Sequence, residues 1–245
     1  MNQGLVRIGH LYPSGGICDH EVQAMAPRGV RFHTTRLPFR RTGLEDDLRL
    51  FDQLEASAQL LTDAAVDLIV VNCTAATMLV GPDVINERIF RATGIRSTTT
   101  IEAVLAALRA SGMRRLALMT PYPQEVVAAE VRFLASLGIE VVAADTMPCE
   151  TPVEQGLIDP ARWLELGTRL SSCDADGLLV SCAGAHVSPV LETLEQRWGR
   201  PVIASNQALV WHALNVLGQP RPVVGFGRLL GRWPVTAGFS SPVVP

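Results

Sequence analysis

Two cysteines occupy matching positions in two similar stretches of the chain, residues 67–73 and 176–182. In each stretch an aspartate, four apolar or glycine residues and one small polar residue precede the cysteine, and the two copies stand 109 positions apart. Both copies keep the cysteine while the residues around it differ. We therefore expect Cys73 and Cys182 to be the catalytic residues.

Each cysteine follows an apolar strand-like run and precedes a helix-like segment. This position favours ligand binding and a reactive thiol. Ligands of open parallel sheets bind beyond the carboxyl ends of the strands. Free backbone N–H groups and the positive end of a helix dipole at such a place lower a thiol pKa and favour the thiolate. If the two halves face each other, Cys73 and Cys182 flank one small-carboxylate site from opposite sides.

Candidate substrate-binding groups follow both cysteines and end two other predicted strands. Backbone amides after each cysteine are donors for a carboxylate or an enediolate oxygen. The Pro-Ser-Gly-Gly segment at 13–16 allows a backbone nest for an anion, and a tyrosine after the strand near 114–120 brings a phenol to the same edge. The predicted substrate-binding residues are Ser14, Gly15, Thr74, Ala75, Tyr122, Ala183 and Gly184.

Other reactive side chains receive lesser roles. Cys18 stays open as a third thiol near the site, whereas Cys149 and Cys173 have no repeat partner and are interpreted as structural or surface thiols. Arg36 is considered as a carboxylate clamp or as part of a surface ion pair. His186 is considered as a group that tunes the nearby thiolate or as a capping residue.

The elements that must position these residues alternate along the chain. Short β-branched runs alternate with segments of helical period, which is typical of βαβ units around parallel sheets. The predicted strands lie near 5–12, 30–36, 67–72, 95–98, 114–120, 139–144, 176–181, 200–204 and 222–225. The predicted helices lie near 45–65, 83–92, 100–111, 123–137, 160–172, 188–197 and 206–217. Together with the repeat, this pattern predicts an α/β fold of two pseudo-symmetric halves with parallel sheets and a central active-site cleft.

Composition narrows the function classes. The chain has 245 residues, of which 48% are hydrophobic and 18% charged, as expected of a globular protein long enough for two domains. Its net charge of -3 and the lack of a basic run argue against nucleic-acid or anionic-membrane partners. The sequence has no Gly-x-Gly-x-x-Gly, Walker A or Gly-x-Ser-x-Gly motif, which argues against nucleotide binding and a serine-hydrolase elbow.

Location and metal content are predicted from the same sequence. No signal peptide is recognisable at the N-terminus and no apolar run reaches the roughly 18 residues that span a bilayer, so we expect a cytoplasmic protein with reduced thiols. The odd number of cysteines, five, argues against a disulfide framework. Scattered histidines and the absence of Cys-x-x-Cys predict no metal. The oligomeric state is not determined, which leaves a homo-oligomer open.

Short segments along nearly the whole chain carry a family resemblance. They are 13–14, 32–36, 73–74 with Gly81, 120–122, 181–184 and 225–230. In order and at matching spacing, they resemble the aspartate/glutamate racemase superfamily, in particular its branch of maleate cis–trans isomerase and arylmalonate decarboxylase. The resemblance implies two Rossmann-like (flavodoxin-like) domains, at 1–97 plus 210–245 and at 98–209, and no cofactor.

The resemblance also implies roles for residues. In the isomerases the cysteine at the position of Cys73 adds to an alkene carbon of maleate, the carbon–carbon bond rotates, and the cysteine at the position of Cys182 handles a proton. In the racemases the two thiols act as base and acid on opposite faces of a stereocentre. In the decarboxylase only the second cysteine remains and protonates an enediolate. Tyr122 and Thr74 match carboxylate-binding positions of the family.

Two loops differ from the isomerase pattern. The loop after the first strand contains Gly15-Gly16-Ile17 where the isomerases carry a carboxylate-binding asparagine, and residues 183–187 resemble the shorter decarboxylase loop. The favoured function is therefore a two-thiol isomerase, either a maleate-type cis–trans isomerase or a racemase of a small carboxylate. An arylmalonate-type decarboxylase with Cys182 as proton donor is the first alternative, and a non-catalytic small-carboxylate binding protein is the second.

Overall fold

The computed structural model describes residues 5–231, whose strands form two four-stranded sheets. The strands are β1 (Val6–Pro13), β2 (Val30–Leu37), β3 (Leu68–Val71), β4 (Ser97–Thr99), β5 (Arg115–Thr120), β6 (Glu140–Thr146), β7 (Gly177–Val180) and β8 (Val202–Ala204). The strand order is β2-β1-β3-β4 in one sheet and β6-β5-β7-β8 in the other, and every neighbouring pair is parallel. This order is that of the first four strands of a flavodoxin-like sheet, so the predicted α/β class is confirmed.

Helices flank both sheets. They are α1 (His20–Ala24), α2 (Leu44–Arg49), α3 (Leu54–Thr62), α4 (Thr74–Val80), α5 (Pro82–Thr93), α6 (Thr100–Ala110), α7 (Gln124–Ser136), α8 (Pro152–Leu157), α9 (Pro160–Leu170), α10 (Leu191–Trp198), α11 (Ser205–Val216) and α12 (Gly227–Gly231). Because helices cover the sheets, strands such as β3 and β7 are buried along their whole length, as their continuous apolar sequences predict. None of the helices in the described part of the chain is long and apolar enough to cross a membrane.

The internal repeat extends beyond the cysteine segments. The strands β1 and β5 begin 109 residues apart, as do β3 and β7. The six-residue helices α2 and α8 begin 108 residues apart. The two halves therefore repeat their strands and also the short helices that lie near the strand ends.

The two halves share a core. Helix α6 packs against α11, and residues 205–214 of α11 are all buried. One hydrophobic cluster includes Ile8 and Val70 of the first sheet and Leu118 and Val180 of the second. Each such buried aliphatic side chain contributes about 1.5–3 kcal/mol. This shared packing holds the carboxyl ends of the two sheets in a defined relative position.

The predicted division into domains stays a prediction. The strands of the first sheet end at Thr99 and those of the second begin at Arg115, but α6 and α11 join the halves. Residues 1–4 and 232–245 of the first predicted domain lie outside the described residues.

Two predicted elements differ from the structure. The strand predicted at 222–225 is wrong, because Gly225 adopts a φ of 97° in a turn and Val224 is 83% exposed, so its apolar residues enter no sheet. The helix predicted at 45–65 is divided into α2, a 3₁₀ turn at Leu50–Gln53, and α3. Gln53 has φ −118° and ψ 26°, which interrupts the helical backbone. The interruption leaves α2 as a separate short helix beside α4.

Candidate active site

Cys73 lies two residues beyond β3, at a strand end as predicted, and directly before α4, a short helix that precedes the one predicted at 83–92. Its backbone is extended, with φ −151° and ψ 110°, so the residue serves as the N-cap of the helix. Its side chain is buried, and its Sγ lies 3.9 Å from Oδ1 of Asp47, which belongs to α2 and is itself buried. The first thiol therefore faces a carboxyl group.

Burial dominates the acid–base behaviour of Cys73. It raises the thiol pKa well above its usual value, and the neighbouring Asp47 raises the pKa further. The backbone N–H groups of Ala76 and Ala75 act in the opposite direction but do not outweigh these effects. The prediction of a lowered pKa is wrong here. The free-energy cost of burying a thiolate is larger than the stabilisation that the N–H groups at the start of α4 give it.

Cys182 follows β7 but does not precede a helix. Residues 183–187 form a turn and irregular chain, and the helix predicted at 188–197 begins with a 3₁₀ turn at Ser188 and continues as α10. The thiol is instead held by two local contacts. The Gly184 N–H donates to Sγ at 3.1 Å, and the thiol donates to Oε1 of Gln155 at 3.4 Å.

The pKa of Cys182 is also raised, to about 12, and burial is the main cause. The Tyr122 hydroxyl and the Gly184 N–H lower it, but only in part. The predicted lowering is therefore wrong for this thiol as well. A buried thiol with such a pKa holds its proton at neutral pH and can donate it to a substrate atom.

A small pocket receives residues from both halves of the molecule, including both thiols. Cys73 and Cys182 reach it from the carboxyl ends of two different sheets, where ligands of parallel sheets bind. Its lining residues are Tyr12, Pro13, Gly16, Phe39, Thr42, Asp47, Cys73, Ala75, Tyr122, Val126, Pro152, Gln155, Cys182, Ala183 and Gly184. Six of the predicted site residues belong to this lining; Ser14, Gly15 and Thr74 do not.

Thr74 is turned toward the other half of the molecule. Its hydroxyl donates to Oγ of Ser205 over 2.9 Å, and the side chain is buried. In this position Thr74 joins the start of α4 to the start of α11.

Ser14 and Gly15 lie in a loop tied to the chain after β2. The N–H groups of Ser14, Gly15 and Gly16 all donate to main-chain carbonyls, and the Ser14 hydroxyl exchanges hydrogen bonds with the backbone of Phe39. A Cβ at Gly15 would lie 2.8 Å from the Phe39 carbonyl oxygen, so close packing accounts for this glycine. The paired N–H groups do not support the predicted anion nest.

A buried hydrogen-bond network orients the residue before the first cysteine. The side-chain amide nitrogen of Asn72 donates to Nε2 of His10 at 3.0 Å, and its oxygen accepts from Thr100 at 2.9 Å. Burial lowers the pKa of His10 to about 3, so its ring is neutral and accepts at Nε2. Nδ1 of the same ring then donates to the Thr34 hydroxyl at 3.0 Å.

Arg36 holds the loop after β1. Its guanidinium donates to the carbonyls of Gly16 and Pro13 at 2.6 and 3.3 Å, and it forms a 2.9 Å ion pair with Asp19. Of the two predicted alternatives, the structure contains the ion pair, and Arg36 is not in the pocket lining.

Among the described residues, one group combines side chains that could ligate a metal: His20, Glu21 and His186. In the structure the buried Glu21 accepts hydrogen bonds from His186 Nδ1 at 2.8 Å and from Ser188 Oγ at 2.6 Å. This group is not in the pocket lining. His186 therefore contacts a carboxylate rather than the thiol of Cys182.

The remaining cysteines stay outside the pocket lining. Cys18 is buried, and burial raises its pKa to about 12; its Sγ lies 3.9 Å from the Gly156 carbonyl oxygen. Cys149 and Cys173 are half-buried free thiols.

Sequence reasoning missed two polar residues that contact the thiols, Asp47 and Gln155. Both come from six-residue helices, about 26 residues before their cysteines. Helix α2 lies at the start of the helix predicted at 45–65, whereas no helix was predicted at α8. The repeat carried a usable signal, because the fourth residue of α2 and the fourth residue of α8 occupy equivalent positions.

Comparison with known proteins finds similarity to arylmalonate decarboxylases and maleate isomerases. The sequence profile of the family described as arylmalonate decarboxylase matches residues 8–230. The chain is 29% identical to the maleate isomerase of Nocardia farcinica over 93% of this chain and 96% of that protein. It is 34% identical to the arylmalonate decarboxylase of Bordetella bronchiseptica over 56% of this chain and 59% of that protein.

A solved structure is also similar over most of its length. It is a cysteine variant of the Nocardia farcinica maleate cis–trans isomerase with a covalently bound succinylcysteine intermediate. The match has a TM-score of 0.85 and 27% sequence identity, and covers 93% of this chain and 98% of that one.

Proposed function

We propose that this chain, which belongs to the arylmalonate decarboxylase family, is a cofactor-independent cysteine isomerase that interconverts the cis and trans forms of a small unsaturated dicarboxylate such as maleate. The single observation that carries the proposal is that Cys73 and Cys182 line the same pocket from the carboxyl ends of two sheets. Two thiols around one substrate suit a reaction with one nucleophile and one proton donor.

The proposed reaction begins with Cys73. Its thiol gives the proton to a base in the pocket, which returns it when the bond to sulfur later breaks, and the sulfur forms a bond to one alkene carbon. The π electrons move to the adjacent carbon, where the neighbouring carboxylate stabilises them as an enediolate. Cys182 then gives its thiol proton to that carbon. The former double bond is now a single bond, so the two carboxylate-bearing carbons rotate about it.

Reversal of these steps completes the isomerisation. The Cys182 thiolate removes a proton from the same carbon, the double bond re-forms, and the bond to the Cys73 sulfur breaks. The succinylcysteine in the related isomerase supports this route, because a succinyl group on sulfur is the product of adding S–H across the double bond of maleate. The isomerase relatives favour cis–trans isomerisation over racemisation.

Tyr122 is the proposed donor to a substrate carboxylate. Its side chain is buried in the pocket lining, and burial raises its pKa well above the usual value, so the phenol keeps its proton. A neutral phenol beside Cys182 can donate to a carboxylate oxygen and to the enediolate that forms from it.

Decarboxylation of a disubstituted malonate is a second candidate function. The arylmalonate decarboxylase relative and the apolar residues Phe39, Val126 and Pro152 in the lining favour it. In that reaction Cys182 alone is needed, as the proton donor to an enediolate.

The test is proton NMR of the purified protein with maleate and, separately, with phenylmalonate in deuterated buffer. Fumarate that forms with the unchanged protein, and not with Cys73→Ala or Cys182→Ala, is the expected result. Cys18→Ala is the matched control because this buried thiol is outside the lining. Deuterated phenylacetate formed by the protein and by Cys73→Ala, without fumarate, would replace the isomerase proposal with the decarboxylase.

A further inference from the structure

The two thiols differ in the side chain that each faces from the repeated short helix. Asp47 is the fourth residue of α2, and Gln155 is the fourth residue of α8. The carboxyl oxygen of Asp47 lies 3.9 Å from Cys73 Sγ, and the amide oxygen of Gln155 lies 3.4 Å from Cys182 Sγ. The two contacts therefore come from equivalent helix positions, but the acceptor is a carboxyl group at Cys73 and an amide at Cys182.

Both polar side chains are suited to act on sulfur. Asp47 and Gln155 are only 3% and 4% exposed, and both line the pocket. A carboxylate accepts a proton from a thiol, whereas an amide oxygen accepts a hydrogen bond and leaves the proton on sulfur. The pair therefore has the chemistry to give the two thiols different protonation behaviour.

We propose that Asp47 is the general base that removes the proton from Cys73 as the sulfur adds to substrate, and that Gln155 is a positioning residue that keeps Cys182 protonated and aimed into the pocket. This inference rests on the proposed function and extends it by naming the proton acceptor.

The proton balance follows the reaction. As the sulfur–carbon bond forms, the proton of Cys73 passes to Asp47 Oδ1, and the carboxylate becomes a carboxylic acid. When that bond breaks, Asp47 returns the proton to the departing sulfur. Each catalytic cycle therefore ends with the thiol and the carboxylate with which it began.

The electrostatic surroundings fit a base of this kind. Burial raises the pKa of Asp47 to about 7, with a further contribution from Asp46, while the thiol of Cys73 lowers it. The other titratable groups that sense Asp47 are Tyr122 and Cys182, both of which hold their protons at neutral pH. A carboxylate with this pKa is ionised just above neutrality and is basic enough to accept a thiol proton.

Alkylation of Cys73 by iodoacetamide tests the base without any substrate. The full-length protein and Asp47→Asn are treated at pH 8, and modification is followed peptide by peptide with mass spectrometry. The half-buried Cys173 is the internal reference, and Glu45→Gln, an exposed change in the same helix, is the matched control.

The direction in which the Cys73 alkylation rate changes in Asp47→Asn distinguishes a general base from a nearby negative charge. Removing a general base slows Cys73 alkylation, and we expect at least about a tenfold loss relative to Cys173. If Asp47 were merely a negative charge near the sulfur, its removal would lower the thiol pKa and speed alkylation. An unchanged or faster reaction would overturn the role of Asp47.

Two further variants complete the test. Asp47→Glu, which keeps a carboxylate, is expected to recover part of the lost reactivity, and Asp47→Ala replaces Asp47→Asn if the latter does not fold. Gln155→Glu places a carboxylate at the equivalent position and is expected to speed Cys182 alkylation at least about tenfold at pH 8. Unchanged or slower alkylation there would overturn the role of Gln155.

Turnover measurements separate this inference from the proposed function. A fall of about 10²-fold in the kcat for maleate with Asp47→Asn supports both. If Cys73 is alkylated more slowly in Asp47→Asn but the unchanged protein does not turn over maleate, Asp47 is still the base for Cys73 and the isomerase proposal is rejected. If Asp47→Asn turns over maleate at an unchanged rate, the isomerase function stands and the role of Asp47 as general base is rejected.

Discussion

The side-chain nitrogen of Asn72 donates to the side-chain oxygen of Asn206 over 2.9 Å, and this contact crosses from one half of the molecule to the other. Asn72 directly precedes Cys73 in the chain. The nitrogen of Asn206 donates in turn to the carbonyl of Ala183, which directly follows Cys182, at 3.0 Å. One amide side chain on α11 therefore joins the backbone segments that carry the two thiols.

Asn206→Ala is expected to uncouple those segments. Buried groups that lose a hydrogen-bond partner cost about 1–3 kcal/mol, and we expect the free energy of unfolding in urea to fall by that amount. Because small displacements of reacting groups slow the chemical step strongly, kcat for maleate should fall about 10- to 10²-fold with a smaller change in KM.

The control for this prediction lies on the same helix. Asn215→Ala changes an amide near the other end of α11 and should leave kcat within about twofold of the unchanged protein. If Asn206→Ala lowered stability but left kcat unchanged, the hydrogen bonds of Asn206 would contribute to folding and not to catalysis.

The pH dependence of turnover should follow Asp47. A base must be ionised to act, and burial raises the pKa of Asp47 to about 7, so kcat/KM for maleate should rise as pH increases from about 5.5 to 8.5. With Asp47→Asn this rise should disappear, and the residual rate should increase only at the higher pH where the buried Cys73 thiol ionises. A rise near neutrality that persists in Asp47→Asn would assign it to another group.

Gly184→Ala is expected to disturb Cys182 with little effect on folding. The added Cβ would lie 2.7 Å from Oε1 of Gln155 and 3.4 Å from the sulfur of Cys182, so the flexible end of Gln155 must move and its contact with the thiol is lost. We expect kcat for maleate to fall at least about tenfold, and the free energy of unfolding to change by less than about 1 kcal/mol.

Gly231→Ala is a suitable comparison, because a Cβ there meets its nearest neighbour only at 3.8 Å. It should leave both kcat and stability nearly unchanged. Normal turnover by Gly184→Ala would mean that the contact between Gln155 and Cys182 is dispensable.

The fold was largely predictable because buried parallel strands have a strong local signature. The apolar runs that become β3 and β7 indicated strands without any tertiary information. The missed helices α1, α4, α8 and α12 have five to seven residues, fewer than two turns, so they show no helical period. Their positions depend on packing between distant segments.

The candidate site was predictable at the two repeated cysteine segments and at the strand end that carries Tyr122. Equivalent positions identified Cys73 and Cys182, but the depth of burial that raises both thiol pKa values is a tertiary property. The same limit applied to the Ser14 loop, whose N–H groups are used by neighbouring carbonyls. Local sequence indicates which groups are present, and packing determines which of them remain free.

Two buried glutamates, Glu21 and Glu130, stand 109 positions apart and should respond in opposite ways to the same substitution. Glu21 accepts hydrogen bonds from the hydroxyl and the N–H of Ser188 and from His186. Glu21→Gln replaces an acceptor-only carboxylate with an amide, so we expect the free energy of unfolding to fall by about 1–3 kcal/mol at pH 8.

Glu130→Gln should stabilise the protein at the same pH. Burial raises the pKa of Glu130 to about 7, against a smaller opposite effect of the Ser181 hydroxyl, so the folded state holds this proton more tightly than the unfolded state. Stability from that proton is complete below the unfolded pKa of about 4.5 and is lost as pH rises through about 7. An uncharged glutamine avoids the loss, so urea unfolding should show a gain of about 1–3 kcal/mol at pH 8 and almost none at pH 4.5. An equal effect at both pH values would show that packing, rather than ionisation of Glu130, is responsible.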